Sequence, residues 1–157
     1  MTTLCECRGQ AETVPEQKLF LGLGFGFDHG GMGLRLDGRI SPYFGVFGGV
    51  GATFSAIGVN GGVQARILPN SQWCPYVTAM YGFNGESTTV EEEKLFYGPT
   101  FGAGVEKRSR TGPNFFHFGL LIPVHSAEAR EVSDNADFPL WPILPTFGWH
   151  FATGKKK

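Results

Sequence analysis

The chain lacks any long hydrophobic run, although 41% of its 157 residues are hydrophobic. Gly or Pro interrupts nearly every window, and no apolar stretch approaches the roughly 18 residues that a transmembrane helix requires. Helices of any kind are therefore expected to be scarce. Charge of one sign is also lacking, because the formal net charge is −1. That balance gives no reason to expect nucleic-acid binding.

Cysteine is scarce as well. Cys5, Cys7 and Cys74 are too few for a disulfide framework. The pair Cys5-x-Cys7 offers at most two metal ligands, and no histidine or third cysteine lies near it in the sequence, so we predict no metal site there. Phosphate-binding loops, carboxylates paired at a fixed spacing and zinc motifs are absent. The sequence therefore predicts no cofactor and no metal.

What the chain does contain is a strict alternation of large and small residues. From Leu19 to Phe27 every second residue is Leu or Phe, and the residues between are Phe20 and three glycines. The same alternation recurs over 57–67, 97–106 and 141–151. A period of two places each set on one face of a β-strand. One face of the predicted sheet is therefore large and apolar, and the other is made of glycine, amide, hydroxyl or charged residues.

Alternating segments of this kind can be counted eight times. They cover 19–27, 31–37, 42–54, 57–68, 73–84, 95–106, 114–124 and 140–151. Most have about 9 to 12 residues, the length with which a tilted strand crosses a bilayer core. In the third segment the phase is ambiguous around Gly48-Gly49, where we expect a β-bulge. The predicted fold is all-β, an eight-stranded antiparallel up-and-down transmembrane β-barrel.

The glycines indicate which face points inward. The chain has 24 Gly and 15 Phe. An eight-stranded barrel has an interior only just wide enough for side chains, so rows of Phe and Trp from every strand would overfill it. Glycine weakens an ordinary strand because it packs nothing, but it suits a narrow lumen. We therefore predict that the apolar face points outward into lipid and the small, polar face points inward.

Polar and charged residues interrupt the small-residue face, and we predict that they form a polar network in the lumen. Its members are Arg35, Asp37, Asn60, Gln64, Arg66, Glu106, His117 and His150. A charge in a lumen is costly unless it is paired, so salt bridges are expected among the four charged members. His117 and His150 fall on the last two strands, which should be neighbours, and hydrogen bonding within the polar core is favoured over a metal pair.

These patterns make the chain similar to the small eight-stranded outer-membrane β-barrels, the OmpA-like and OmpX-like group. The resemblance covers residues 18–152 and rests on the alternation, the count of eight and the final strand PTFGWHF. In that group the last strand carries alternating aromatic or apolar residues ending in Phe, which the barrel-assembly machinery reads. Phe147, Trp149 and Phe151 match this assembly signal. The chain departs from the group in the ATGKKK segment that follows Phe151.

The resemblance implies a monomer in the bacterial outer membrane, in contact with outer-membrane lipid and the assembly machinery. Residues 1–17 have neither the basic nor the apolar region of a signal peptide, so they are interpreted as a disordered leader from which the signal was removed or truncated. Residues 18–152 form the barrel, and residues 153–157 are interpreted as a basic tail. Interfacial girdles are expected from Tyr43, Trp73, Tyr81, Tyr97 and Trp141 near strand ends.

Acidic residues concentrate in two loops expected at one rim, 84–94 and 125–138. The loops hold eight of the 14 acidic residues: Glu86, Glu91, Glu92, Glu93, Glu128, Glu131, Asp134 and Asp137. A charge run is usually a solvated surface, and the functional alternative is contact with a cell-surface partner. Catalysis was weighed at His125-Ser126 with Glu128, but neighbouring residues on a strand point to opposite faces. No catalytic site and no enzyme activity are predicted.

Three functions are compatible with these observations. The first is a structural or surface-interaction barrel of the outer membrane that makes contacts through loops 84–94 and 125–138. The second is a narrow pore or a conduit for a small hydrophobic ligand, if the glycines leave the lumen open. The third is a soluble, lipocalin-like ligand-binding barrel. Only the third would fold without detergent or lipid.

Overall fold

The computed structural model describes residues 18–53, 56–88, 93–125 and 142–153. Eight strands follow one another: β1 (Leu19–Gly26), β2 (Gly31–Arg39), β3 (Phe44–Ala52), β4 (Ile57–Arg66), β5 (Trp73–Thr88), β6 (Glu93–Arg108), β7 (Phe115–Pro123) and β8 (Leu144–Ala152). Each strand pairs antiparallel with the next, and β1 pairs with β8. The predicted eight-stranded, up-and-down barrel is confirmed. The predicted leader 1–17, most of loop 125–138 and the tail beyond Thr153 lie outside the described residues.

Helix is confined to one 3-10 turn, Phe27–His29, among the described ranges. No helix in them is long and apolar enough to cross a membrane. The alternation sets the two faces of the wall, as expected. Of the described residues, 31 large hydrophobic side chains are exposed, whereas only eight hydrophobic side chains are buried. The buried polar and charged side chains number 14, so the interior is more polar than the outer surface.

The β5–β6 hairpin differs from its prediction. β5 and β6 have 16 residues each, and their pairing continues to Thr88 and Glu93. Most of the loop expected over 84–94 is therefore strand, and only 89–92, outside the described residues, lies between the two. The expected bulge at Gly48-Gly49 is wrong, because β3 pairs in continuous register on both sides. The register shifts instead between Phe83 and Gly85.

The connection between β1 and β2 folds into the barrel. Phe27 was expected on the outer face, but the alternation ends at Gly26. Phe27 packs inside against Phe83, with ring centroids 5.4 Å apart. The 3-10 turn closes when the Gly30 N–H donates to the Phe27 carbonyl at 2.9 Å, with Gly30 at φ 72°. A left-handed conformation of this kind favours glycine. The turn carries Asp28 and His29 into the lumen, where both are buried.

Glycines in β3 and β4 leave the space that this turn occupies. A Cβ at Gly49 would collide with the Asp28 carbonyl and lie 3.1 Å from the His29 Cα. A Cβ at Gly51 would lie 2.5 Å from the His29 carbonyl, and one at Gly58 2.6 Å from the Gly30 carbonyl. These contacts are with backbone, which cannot swing aside as a side chain can. The inward glycines of these strands are therefore needed by the inserted turn.

Replacement of Gly49 by alanine tests the inserted turn, and its neighbour Gly48 supplies a matched control. Gly48 faces outward, and a Cβ there would meet its nearest atom, in the Asn60 backbone, at 3.9 Å. We expect Gly49→Ala to lower the free energy of unfolding by about 1–3 kcal/mol, as overpacking does. Gly48→Ala should leave it unchanged or raise it by about 0.5 kcal/mol. Urea titration in lipid vesicles measures both, and equal effects would contradict the insertion.

Candidate functional site

The residues predicted for the lumen network are all buried. None of them is more than 3% exposed: Arg35, Asp37, Asn60, Gln64, Arg66, Glu106, His117 and His150. Hydrogen bonds and ion pairs join seven of them into one network, whereas Asn60 Nδ2 donates to the Phe27 carbonyl. Asp28, His29 and Thr146 belong to the same network, and the sequence did not indicate them. Asp28 and His29 precede Gly30-Gly31, which indicates a turn. A period of two says nothing about whether a turn points into the barrel or away from it.

Asp28 is the centre of the network. Its Oδ2 accepts a hydrogen bond from Arg35 Nη1 at 2.5 Å and lies 3.1 Å from His117 Nε2. Its Oδ1 lies 3.1 Å from His29 Nδ1 and accepts a hydrogen bond from the Thr146 hydroxyl. Because a carboxylate can only accept, His29 Nδ1 carries the proton of its hydrogen bond to Asp28. The inserted turn is thus held in the lumen by β2, β7 and β8 together.

Asp37 holds the other side of the same guanidinium. Arg35 donates to Asp37 Oδ1 from Nη2 at 2.7 Å and from Nε at 3.1 Å. Asp37 Oδ2 lies 2.8 Å from His150 Nδ1. The Arg35 guanidinium also lies over the Phe47 ring, 3.8 Å from its centroid. Two carboxylates and an aromatic face therefore surround one buried cation, a geometry in which the cation is compensated on every side.

A second charged group surrounds Glu106, nearer the rim where β1 begins and β8 ends. Arg66 Nε donates to Glu106 Oε1 at 2.8 Å. Arg39 and Arg108 also lie near this carboxylate, at 3.7 Å and 3.4 Å from Oε2. Gln64 joins the two groups, because its Oε1 accepts from Arg35 Nη2 and its Nε2 donates to Glu106 Oε1, both at 2.6 Å. The salt bridges expected among the charged residues of this face are thus present.

Three histidines meet beside Asp28. His117 Nδ1 lies 2.7 Å from His150 Nε2, and the His29 ring stacks on His117 with centroids 5.3 Å apart. One nitrogen from each of the three imidazoles lies within 4.8 Å of the others, so the group could hold a metal ion. The sequence pattern indicates only His117 with His150, because both lie on the small-residue face of neighbouring strands.

Glycines on β1 and β8 leave the space that these rings occupy. A Cβ at Gly24 would lie 2.6 Å from His29 Nε2, and one at Gly148 would lie 2.7 Å from the same atom. A Cβ at Gly22 would lie 2.6 Å from His150 Nδ1. The alternation of β1 therefore has two physical causes. Its large residues cover the outer wall, and its glycines admit imidazoles from the turn and from β8.

The histidines and carboxylates of the network are nearly inaccessible to solvent. Of the three residues considered for catalysis, only His125 is described, two residues beyond the end of β7. Ser126 and Glu128 lie outside the described residues. Phe147, Trp149 and Phe151 project from the outer face of β8 and are 44–47% exposed. Their role as an assembly signal stays a prediction.

Removal of the shared guanidinium tests how far the barrel depends on the network. Arg35→Met keeps most of the side-chain volume but leaves Asp28 and Asp37 without their common cation. We expect the free energy of unfolding in lipid vesicles to fall by about 3–5 kcal/mol, the cost of breaking a buried pair. Arg110→Gln removes an exposed guanidinium that contacts Gln72, and should change it by less than about 0.5 kcal/mol. Similar values for the two variants would contradict the assignment.

No family model matches the chain. No curated protein and no solved structure is significantly similar to it either. The resemblance to OmpA-like and OmpX-like barrels therefore stays a prediction, and the structure shows a closed, eight-stranded antiparallel barrel. The geometry of the wall, the lumen and the β5–β6 hairpin carries the functional conclusion.

Proposed function

We propose that this barrel spans a bacterial outer membrane as a closed, non-enzymatic anchor that displays the β5–β6 hairpin at the cell surface. The observation that carries the proposal is the inverted distribution of polarity. Leu, Val, Ile and Phe side chains cover the outside of the wall, and Arg, Asp, Glu and His side chains fill the inside. Soluble monomers rarely expose apolar patches larger than a few hundred Å², so this surface calls for a lipid solvent.

The closed sheet satisfies the other requirement of a bilayer. Backbone groups in hydrocarbon need internal hydrogen bonds, and a barrel without an edge supplies them. Here β1 pairs with β8 from Phe20↔Ala152 to Phe25↔Phe147, so the sheet closes through six residue pairs. Exposed aromatic residues support a membrane position as well. Tyr43 and Trp73 lie at the rim where β1 begins and β8 ends, and Tyr97 lies toward the opposite rim. Aromatic residues form girdles at these two levels in membrane barrels.

The filled lumen favours a closed anchor over the two alternatives. A pore needs a continuous column of water, but the inserted turn and both charged groups occupy the described interior, where Asp28, Gln64 and Glu106 are almost fully buried. A lipocalin-like carrier needs an apolar cavity inside a polar wall. This barrel has the reverse polarity. Neither alternative explains why the small residues face a charged interior.

The β5–β6 hairpin is the feature best suited to surface contact. Its strands have 16 residues, against eight to ten in the other six. The excess of about six residues corresponds to roughly 20 Å of additional strand. The hairpin extends from the rim opposite the one where β1 begins and β8 ends. In bacterial barrels the longer connections are extracellular. Its acidic residues Glu86 and Glu91–Glu93 suit a cationic surface or a basic partner.

An arginine on the outer wall tests the lipid-facing surface. Leu23 is 55% exposed near the middle of β1, and Ile40 is 72% exposed just beyond the end of β2. In lipid vesicles Leu23→Arg should lower the free energy of unfolding by about 2–4 kcal/mol, whereas Ile40→Arg should cost about 0–1 kcal/mol, because the cost of a charge depends on its depth. On a soluble barrel both replacements would be harmless. Equal, negligible costs would therefore refute a membrane-spanning wall.

An inserted epitope tests the direction of the hairpin. A short peptide tag placed between Thr88 and Glu93 should bind its antibody on intact cells, because we expect this end to face outward. The same tag placed between Pro69 and Gln72, at the opposite rim, should bind only after the outer membrane is permeabilised. If the second tag is detected on intact cells and the first is not, the orientation is reversed. If permeabilisation changes antibody binding at neither tag, the proposed display of the hairpin is wrong.

A further inference from the structure

We propose that His29, His117 and His150 bind one transition-metal cation of the Zn²⁺ class inside the barrel. The site is independent of whether the wall faces lipid, so it goes beyond the anchoring function. Imidazole nitrogens are common ligands of Zn²⁺, Cu²⁺ and Ni²⁺. Three of them arranged together leave one position of a tetrahedral metal open, as in catalytic rather than structural zinc sites. All three side chains are at most 2% exposed.

The outer nitrogen of each imidazole faces a carboxylate. His29 Nδ1 lies 3.1 Å from Asp28 Oδ1, His117 Nε2 lies 3.1 Å from Asp28 Oδ2, and His150 Nδ1 lies 2.8 Å from Asp37 Oδ2. Metal-binding histidines in proteins nearly always donate their other ring N–H to such a partner, which fixes the tautomer. His29 meets this condition with a hydrogen bond to Asp28. His117 and His150 place a ring nitrogen at a similar distance from a carboxylate oxygen, although His150 Nδ1 makes no hydrogen bond among the described residues.

The remaining nitrogens are His29 Nε2, His117 Nδ1 and His150 Nε2. His117 Nδ1 and His150 Nε2 lie 2.7 Å apart, so the two nitrogens share either a proton or a cation. His29 Nε2 is fully buried and has no hydrogen-bond partner within the described part of the chain. A buried nitrogen without a donor therefore lies beside a close pair of nitrogens whose shared proton a metal ion could replace.

The local charge also favours a cation. Asp28 and Asp37 face the imidazoles at 2.8–3.1 Å. Arg35 pairs with both carboxylates, and three other arginines gather around Glu106. A metal held by the three imidazoles would lie one ring away from two carboxylates. A single shared proton is the competing occupant that the experiment must exclude.

The three imidazole rings pack against glycines and need to move little to bind one metal ion. Gly22, Gly24 and Gly148 abut the imidazoles on the side of β1 and β8. The ligand nitrogens lie within 4.8 Å of one another, and two nitrogens on one tetrahedral Zn²⁺ are separated by about 3.4 Å. Small side-chain shifts close that difference. Because the site is enclosed, we expect the metal to enter while the barrel folds.

Metal content after refolding tests the site. A tag-free chain carrying Cys5→Ser and Cys7→Ser, so that these thiols bind no metal, is refolded from urea into vesicles with a small excess of Zn²⁺. Free metal is then removed with a weak chelator, and zinc is measured by mass spectrometry. We expect on the order of one Zn²⁺ per folded barrel. His29→Gln should lower the zinc content at least tenfold, and His125→Gln, outside the cluster, should leave it unchanged.

A spectroscopic measurement on the unsubstituted cluster covers the case in which a histidine variant fails to fold. Cu²⁺ introduced by the same refolding should give an electron paramagnetic resonance spectrum with coupling to several imidazole nitrogens. A folded barrel that retains no zinc and no copper would overturn the proposal and assign the position between the imidazoles to a proton. Metal retained equally by His29→Gln and by the parent chain would overturn it too, by locating the metal elsewhere.

Discussion

The pairing of Arg35 with Asp28 and Asp37 is the interaction on which the rest of the structure depends. A guanidinium in a narrow lumen needs an opposite charge and acceptors for its five N–H groups. Asp37 lies two residues away on the same strand, but Asp28 reaches the guanidinium only because the β1–β2 turn folds inward. That insertion in turn requires backbone without Cβ at Gly49, Gly51 and Gly58. The charge pairing in the lumen therefore depends on the glycines of β3 and β4.

This constraint also explains the polarity of the wall. Once the interior is occupied by charged groups, hydrogen bonds and a backbone turn, it leaves little room for large apolar side chains. A small apolar cluster of Phe47, Met80 and Leu121 remains beside Phe27 and Leu144. Phe20, Tyr76, Phe83 and Phe115 are buried as well. Most of the other large apolar residues lie on the outside of the wall. An inside-out polarity follows from the lumen as much as from the alternation of the strands.

Strand count, order and facing could be predicted from the period of two, because it repeats in every segment. The lumen residues followed from the same rule, since Arg35, Gln64 and His117 share the parity of the glycines. The rule fails where the chain leaves the sheet. Phe27 and His29 continue the parity of the outer face, yet the turn carries both inward. The length of β5 and β6 was also missed, because the register shift between Phe83 and Gly85 interrupts the alternation.

The central claim is that a charged lumen lies inside a wall built for lipid. The most direct test is to dilute the urea-unfolded chain into plain buffer and, separately, into phosphatidylcholine vesicles, and to compare the products by circular dichroism and by unboiled gel migration. The account predicts β-structure and a heat-sensitive, compact gel band only with vesicles. A monodisperse monomer with the same β-structure in plain buffer would contradict it.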